Sequence, residues 1–290
     1  MKRIFLFAVM NIAVLLVITV VVKLLGLEAY LAARGGSLTG LLMISAVFGF
    51  GGAFISLALS KIMAKHLMGV RVIEQPHSET ESWLLNTVSA YAERMGIGMP
   101  EVGVFDSPTM NAFATGASRN RALVVVSTGL LHGMERNEAD AVLGHEMSHV
   151  ANGDMVTMTL LQGVLNTFVI FLARVLGTVI DSALRGQREQ RVGSGPFYFL
   201  IVIVLQVVFG ILATMIAMRF SRHREFRADA GGARLAGRDS MIGALIALQR
   251  AHGEPLPGQL QAFGIHGGNV GRLFMSHPPL EERIAALRAG

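Results

Sequence analysis

The sequence predicts an α+β water-facing domain of mainly helices with a small sheet, joined to a multi-span α-helical membrane region. Three observations point there. Hydrophobic residues fill 52% of the 290 positions and charged residues only 16%, which excludes a disordered chain and a collagen-like one. Four apolar runs reach the roughly 20 residues needed to cross a hydrocarbon core. Two more polar stretches, 66–154 and 219–290, are together long enough for one sizeable core. The chain has no cysteine, so disulfides, a thiol nucleophile and thiolate metal sites are excluded. A metal here is held by histidine and carboxylate. In so apolar a chain, the formal net charge of +5 reads as facing membrane lipid and not nucleic acid.

The first apolar run, Ile4 to Val22, is preceded by Lys2 and Arg3 and followed by Lys23. It is longer than the core of a secretory signal and has no convincing cleavage site, so it reads as a retained anchor. The second runs from Leu38 to Leu59, with Lys61 and Lys65 behind it. Its Gly49, Gly51 and Gly52 suit either close helix contact or plain lipid-facing sequence. Met155 to Ile180 and Phe197 to Met218 form an apolar hairpin around the loop Asp181 to Pro196; Gln162, Asn166 and Arg174 interrupt its first arm.

Four parts follow. Residues 1–65 hold two transmembrane helices and a short connecting loop. Residues 66–154 are the first part of a cytoplasmic domain, 155–218 the apolar hairpin, read as two transmembrane helices, and 219–290 the second part of the domain. Lysine and arginine placement sets the orientation. Lys2, Arg3, Lys61, Lys65 and Arg71 share one side, whereas the first short loop holds only Arg34 well clear of the spans. The amino terminus and the water-facing domain are therefore expected on the cytoplasmic side. Arg185, Arg188 and Arg191 in the hairpin loop resist export, so a hairpin that dips in and returns is the alternative to one that spans.

In the water-facing part, Glu79 to Met95 reads as a helix with Trp83, Leu84, Val88 and Tyr91 on one side. Val102 to Asp106, Asn111 to Thr115 and Ala122 to Ser127 read as short strands. Asn137 is the expected cap of a helix from Glu138 to about Ala151, closed by Gly153. The fourth span is expected to continue as helix through Arg219 to Ala236. Loops at Glu254–Gly258 and Gly267–Gly271 lead to Pro278-Pro279 and a last helix from Leu280.

The informative segment is His145-Glu146-Met147-Ser148-His149. Residues four apart share a helix face, so two imidazoles can grip one Zn²⁺, with Glu146 placed to take a proton from a metal-activated water. A catalytic zinc needs a third protein ligand and an open position. An extension of the motif along the same helix would need Gly at 152 and His at 155; the chain has Asn152 and Met155. The other solution is a glutamate on a second helix followed by aspartate four residues later. Glu225 and Asp229, in Ser221-Arg-His-Arg-Glu-Phe-Arg-Ala-Asp229, fit it. Glu225 then binds metal, and Asp229 accepts the free ring N–H of a ligating histidine. For the developing oxyanion, His277, Arg283, Arg222 and His223 are candidate donors, each with an ordinary surface or loop-fixing role as the alternative. Asn111 to Thr115 is either an exposed edge strand that pairs with an extended substrate or an ordinary turn and strand.

The order of these segments resembles the HtpX-type membrane zinc metalloproteases, in the same broad family as the CAAX prenyl endopeptidases. The resemblance covers nearly the whole chain. It rests on the two amino-terminal spans, Asn111-Ala-Phe-Ala-Thr-Gly116, Ser127-Thr-Gly-Leu-Leu131, the His145–His149 motif, the apolar hairpin, Glu225-Phe-Arg-Ala-Asp229 and Ser276-His-Pro-Pro279. It implies an α+β metalloprotease domain and one zinc per chain on His145, His149 and Glu225, with Glu146 as the catalytic carboxylate. It also implies a multi-pass protein of a bacterial inner membrane whose active site faces the cytoplasm, turning over misfolded or damaged membrane proteins and unfolded polypeptides. The alternatives are a processing protease with one membrane substrate, and a non-catalytic membrane holdase whose metal is structural. A transporter is disfavoured, because Arg174 is the only charge well inside a span. Cleavage preference and oligomeric state have no signature in the chain.

Overall fold

A computed structural model describes residues 37–185, 197–252 and 277–289. The run Ile4 to Val22, most of the 181–196 loop and the two carboxyl-terminal loops lie outside the described residues. In chain order the elements are α1 (Leu38–Leu67), β1 (Arg71–Val72), α2 (Glu79–Met95), β2 (Glu101–Phe105), β3 (Ala112–Thr115), β4 (Leu123–Ser127), α3 (Thr128–Gly133), α4 (Arg136–Asn152), α5 (Asp154–Arg185), α6 (Tyr198–Ala236), α7 (Arg238–His252) and α8 (Leu280–Ala289). The described residues fall into two compact units, one drawn from Phe54–Thr159 and Thr214–Gly290, the other from residues up to Ala53 and Leu160–Ala213.

In the first unit the strands make one mixed sheet in the order β1-β2-β4-β3. β2 and β4 are parallel, while β1 and β3 flank them antiparallel. All five residues of β4 are buried, as its unbroken Leu-Val-Val-Val-Ser requires of a strand covered on both faces. Val124 and Val126 pack with Leu84, Val88 and Tyr91 of α2 and with Leu143, Met147 and Val150 of α4. Leu123 and Val125 pack with Ala64, Val70 and Phe105 on the opposite face. On the far side of α4, Ala141 and Val142 join Met241 and Leu245 of α7 and Ile284 and Leu287 of α8. The α4 helix is therefore enclosed from several directions, which is why nine of its residues are buried and its pattern is not that of a surface helix.

Local signals account for the ends. Ser78 accepts the N–H of Glu81, and Gly96 closes α2 in the left-handed conformation. Gly153 does the same for α4 at φ 66°. The expected cap Asn137 is a correction: α4 starts earlier, with Glu135 as its cap, because the Glu138 carboxylate accepts the Glu135 backbone N–H at 3.0 Å. Five elements exceed the sequence reading. The α1 helix runs eight residues past Leu59, α5 starts at Asp154, and α3, α7 and the short β1 had no expectation at all.

Glycines set how closely α4 and α6 cross. A side chain on Gly232 would stand 3.0 Å from the backbone N of His145 and 3.1 Å from the carbonyl O of Ala141. One on Gly231 would run into Ser148. The two helix backbones can approach only because these positions carry no Cβ.

The second unit holds apolar parts of α1, α5 and α6. Three described helices are long and apolar enough to cross a membrane: Leu38–Leu67, Asp154–Leu184 and Tyr198–Ala236. Half of the most apolar stretch of α5 is buried, against 17% for α1 and 11% for α6, so α5 is the packed helix and the others present large side chains such as Val47, Phe48, Phe199 and Leu200 outward. Gly49 lies against the backbone of Gly163 and Thr167, whereas Gly51 and Gly52 have nothing within 4 Å. Among the described residues, Gly49 alone of the three glycines serves helix contact. Several polar groups of α5 are satisfied along their own helix, as suits a hydrocarbon environment: Gln162 donates to Asn166 at 2.8 Å, and Thr178 donates to the Arg174 carbonyl at 2.9 Å.

Candidate metal centre

His145 and His149 lie one turn apart on α4, and their rings meet edge to face with centroids 4.7 Å apart. Their Nε2 atoms are separated by 3.2 Å. Glu225 comes from α6, across the glycine crossing. Its Oε2 is 3.5 Å from Nε2 of His145, and its Oε1 is 3.4 Å from Nε2 of His149. Three donors each about 2.0–2.2 Å from one tetrahedral cation stand roughly 3.3–3.5 Å apart. Each Nε2 has the other Nε2 and one Glu225 oxygen near that spacing, a different oxygen for each ring, and these three residues form a group able to hold a metal ion.

The other ring nitrogens fix which atoms face inward. Nδ1 of His145 lies 2.9 Å from Asp229 Oδ1, and Nδ1 of His149 lies 2.7 Å from Asp154 Oδ2. A carboxylate only accepts, so each Nδ1 carries the proton and each Nε2 turns a lone pair toward the other and toward Glu225. Two lone pairs and a carboxylate at this separation require positive charge between them.

The electrostatics say the same. Burial disfavours protonation of His149, but Asp154 and Glu225 outweigh it and push the ring up to about 9. Burial likewise opposes a charge on His145, and Asp229 and Glu225 again raise it. Burial would raise Glu225, yet hydrogen bonds from His145, His149 and His277 hold it far below the usual carboxylate range. Protons supply the missing charge when no metal does, and a divalent cation replaces them. The donor set therefore fits a metal.

Around this cluster, Glu225 is 2% and Asp229 1% exposed, so both need partners. Arg283, itself buried, donates through Nε to Asp229 Oδ2 at 2.8 Å and through Nη2 to Oδ1. It stands 3.7 Å from Glu225. His277 lies with Nδ1 2.6 Å from Glu225 Oε2, and its side chain is 60% exposed. Glu146 is half-buried beside His145. The fold thus brings His145, His149, Glu225, Asp229, His277 and Arg283 together, with Arg283 engaged on Asp229 and not turned outward. His223 is exposed on α6. Sequence reasoning missed Asp154, whose only local signal is its place directly after the Gly153 cap. It also missed the pairing of Arg283 with Asp229, 54 positions apart, for which no local signal exists.

Peptidase family M48 matches residues 78–290. Protease HtpX of Stenotrophomonas maltophilia (strain R551-3) is 62% identical, the match covering 99% of this chain and 98% of that protein. Protease HtpX of Xanthomonas euvesicatoria pv. vesicatoria (strain 85-10) is also 62% identical, covering 99% and 97%. The crystal structure of S. mikatae Ste24p shares the fold, with a TM-score of 0.61 at 18% identity over 99% of this chain and 67% of that one. The chain belongs to peptidase family M48. It is a multi-pass membrane metalloprotease, a hydrolase of peptide bonds.

Proposed function

We propose that this chain is a zinc-dependent endopeptidase of a bacterial inner membrane that degrades misfolded or damaged membrane proteins on the cytoplasmic side. The observation that carries the catalytic reading is the cluster of His145, His149 and Glu225, with the two Nε2 atoms 3.2 Å apart and one Glu225 oxygen 3.5 Å from the first and the other oxygen 3.4 Å from the second, beside a glutamate at position 146. Zinc held there supplies Lewis acidity toward the scissile carbonyl and the attacking water. Glu146 takes the water proton and returns it to the leaving amine. Asp229 holds His145 with Nδ1 protonated. His277 holds Glu225 through Nδ1 at 2.6 Å, and its largely exposed ring is the candidate donor for the developing oxyanion.

The edge of the sheet supports a sequence-tolerant substrate. β3 pairs with β4 on one side, and among the described residues no strand pairs with its other side. Ser127 donates its N–H to the Asn111 carbonyl. By the alternation of an antiparallel ladder, Phe113 and Thr115 also face β4, and Ala112 and Ala114 turn their backbone groups to the free edge. An extended peptide laid there is held by its main chain, whatever its side chains. Such binding suits turnover of damaged proteins. The cytoplasmic orientation is supported by Lys61, Lys65 and Arg71 after the second span.

The test is the Glu146→Gln variant in metal-replete, full-length protein with an unfolded or membrane-inserted substrate. Activity is expected to fall roughly 10²–10⁴-fold, and a chelator is expected to abolish wild-type activity until Zn²⁺ is returned. Undiminished cleavage by the variant contradicts the reading. Fragments present in wild-type cells but missing from cells carrying the variant separate turnover, with many missing, from processing of one substrate, with one.

A further inference from the structure

Each imidazole of the metal centre has its own carboxylate, and the one behind His149 is anchored in an unexpected place. We infer that Asp154 is the positioning residue of His149, held in turn by Arg224 and Arg227. This rests on the reading that His149 binds metal. Asp154 is the first residue of α5 and only 2% exposed. Its Oδ2 lies 2.7 Å from His149 Nδ1. Arg224 approaches Oδ2 at 3.7 Å, and Arg227 approaches Oδ1 at 3.6 Å. Arg224 is steadied by its own bond to Ser221 Oγ at 3.0 Å.

The chain delivers Asp154 through the end of α4. Gly153 adopts φ 66°, and its N–H returns to the carbonyls of His149 and Val150. A Cβ on Gly153 would meet nothing within 4 Å, so glycine is needed there for backbone handedness alone. The reversal starts α5 at the next residue, beneath the ring it faces. An acid in the first turn of a helix is common, because it complements the helix dipole at the solvent-facing end. Burial and the short contact to a ring nitrogen distinguish Asp154 from that ordinary case. By accepting Nδ1–H it fixes the tautomer and orientation of His149 and strengthens Nε2 as a donor.

The experiment uses full-length protein in detergent, stripped of metal and titrated with Zn²⁺ against a competing chelator. Asp154→Asn keeps the shape and removes the charge. It is expected to weaken Zn²⁺ binding about 10–100-fold, with the visible spectrum of the Co²⁺-substituted protein shifted and affinity partly recovered in Asp154→Glu. Wild-type affinity together with an unchanged cobalt spectrum in Asp154→Asn overturns the inference. Should that variant fail to fold, nitrogen-15 histidine NMR of the zinc-loaded wild type decides. His149 protonated on Nδ1 with Nε2 on the metal supports the role, and the opposite tautomer overturns it. His149→Ala separates the two levels: if it binds Zn²⁺ as wild type does, the metal reading itself fails.

Discussion

The two sides of the metal centre are built alike but not equally. Behind His145, Asp229 is gripped by a buried arginine, with Arg283 Nε at 2.8 Å and a second bond from Nη2. Behind His149, Asp154 has arginines only at 3.6 and 3.7 Å, and the side chain of Arg227 is 51% exposed. A bidentate pair in a dry setting is geometrically fixed, whereas a long contact to a half-solvated guanidinium is weak. The difference says that the His145 side is the rigid half of the site and the His149 side the adjustable one.

The largest expected effect tests that asymmetry. Arg283→Met strips the partner from a buried carboxylate and is expected to destabilise the protein by about 3–5 kcal/mol. Arg227→Ala on the opposite side is expected to cost under about 1 kcal/mol. Thermal or denaturant unfolding of the two variants in detergent measures both, and equal losses would erase the distinction.

A second contrast lies between glycines. Gly232→Ala forces a methyl group against the backbone of α4 and is expected to cost about 1–3 kcal/mol while pushing Glu225 away from the imidazoles and lowering metal affinity. Gly51→Ala, with nothing within 4 Å, is expected to be close to neutral. The same unfolding and Zn²⁺ titrations read both.

The last expected effect is on pH. In metal-free protein His149 is raised from 6.5 to about 9. The folded state therefore holds a proton that the unfolded state has released over this window. The stabilisation is complete below about pH 6.5 and is lost as pH rises through 9. Metal binding needs the neutral ring, so Zn²⁺ affinity is expected to climb with pH over the same window and to release protons. Unfolding of chelated protein across pH 6–10 shows the slope, which Asp154→Asn is expected to flatten.

What the sequence made legible follows from the range of each interaction. The α2 helix, β4 and the ends at Gly96 and Gly153 rest on neighbours in the chain, and their patterns read directly. The His145–His149 spacing is a property of one helix turn. Glu225 and Asp229 needed chemistry as well, because a third ligand had to exist and a second helix offered the right pair. Asp154 was hidden because an acid at a helix start has an ordinary explanation. The Gly231-Gly232 crossing was hidden because small residues give no sign of what approaches them. The α7 helix and the pairing of Arg283 with Asp229 are tertiary facts. The α4 start at Glu135 was missed because a carboxylate cap competed with a better-known asparagine.

X-ray absorption on zinc-loaded, full-length protein tests the central claim most directly. One metal per chain is predicted, with two imidazole nitrogens and one carboxylate oxygen about 2.0–2.2 Å away, and the oxygen from protein lost in Glu225→Ala. An unchanged ligand shell in that variant, or a metal bound without the two imidazoles, would contradict the account.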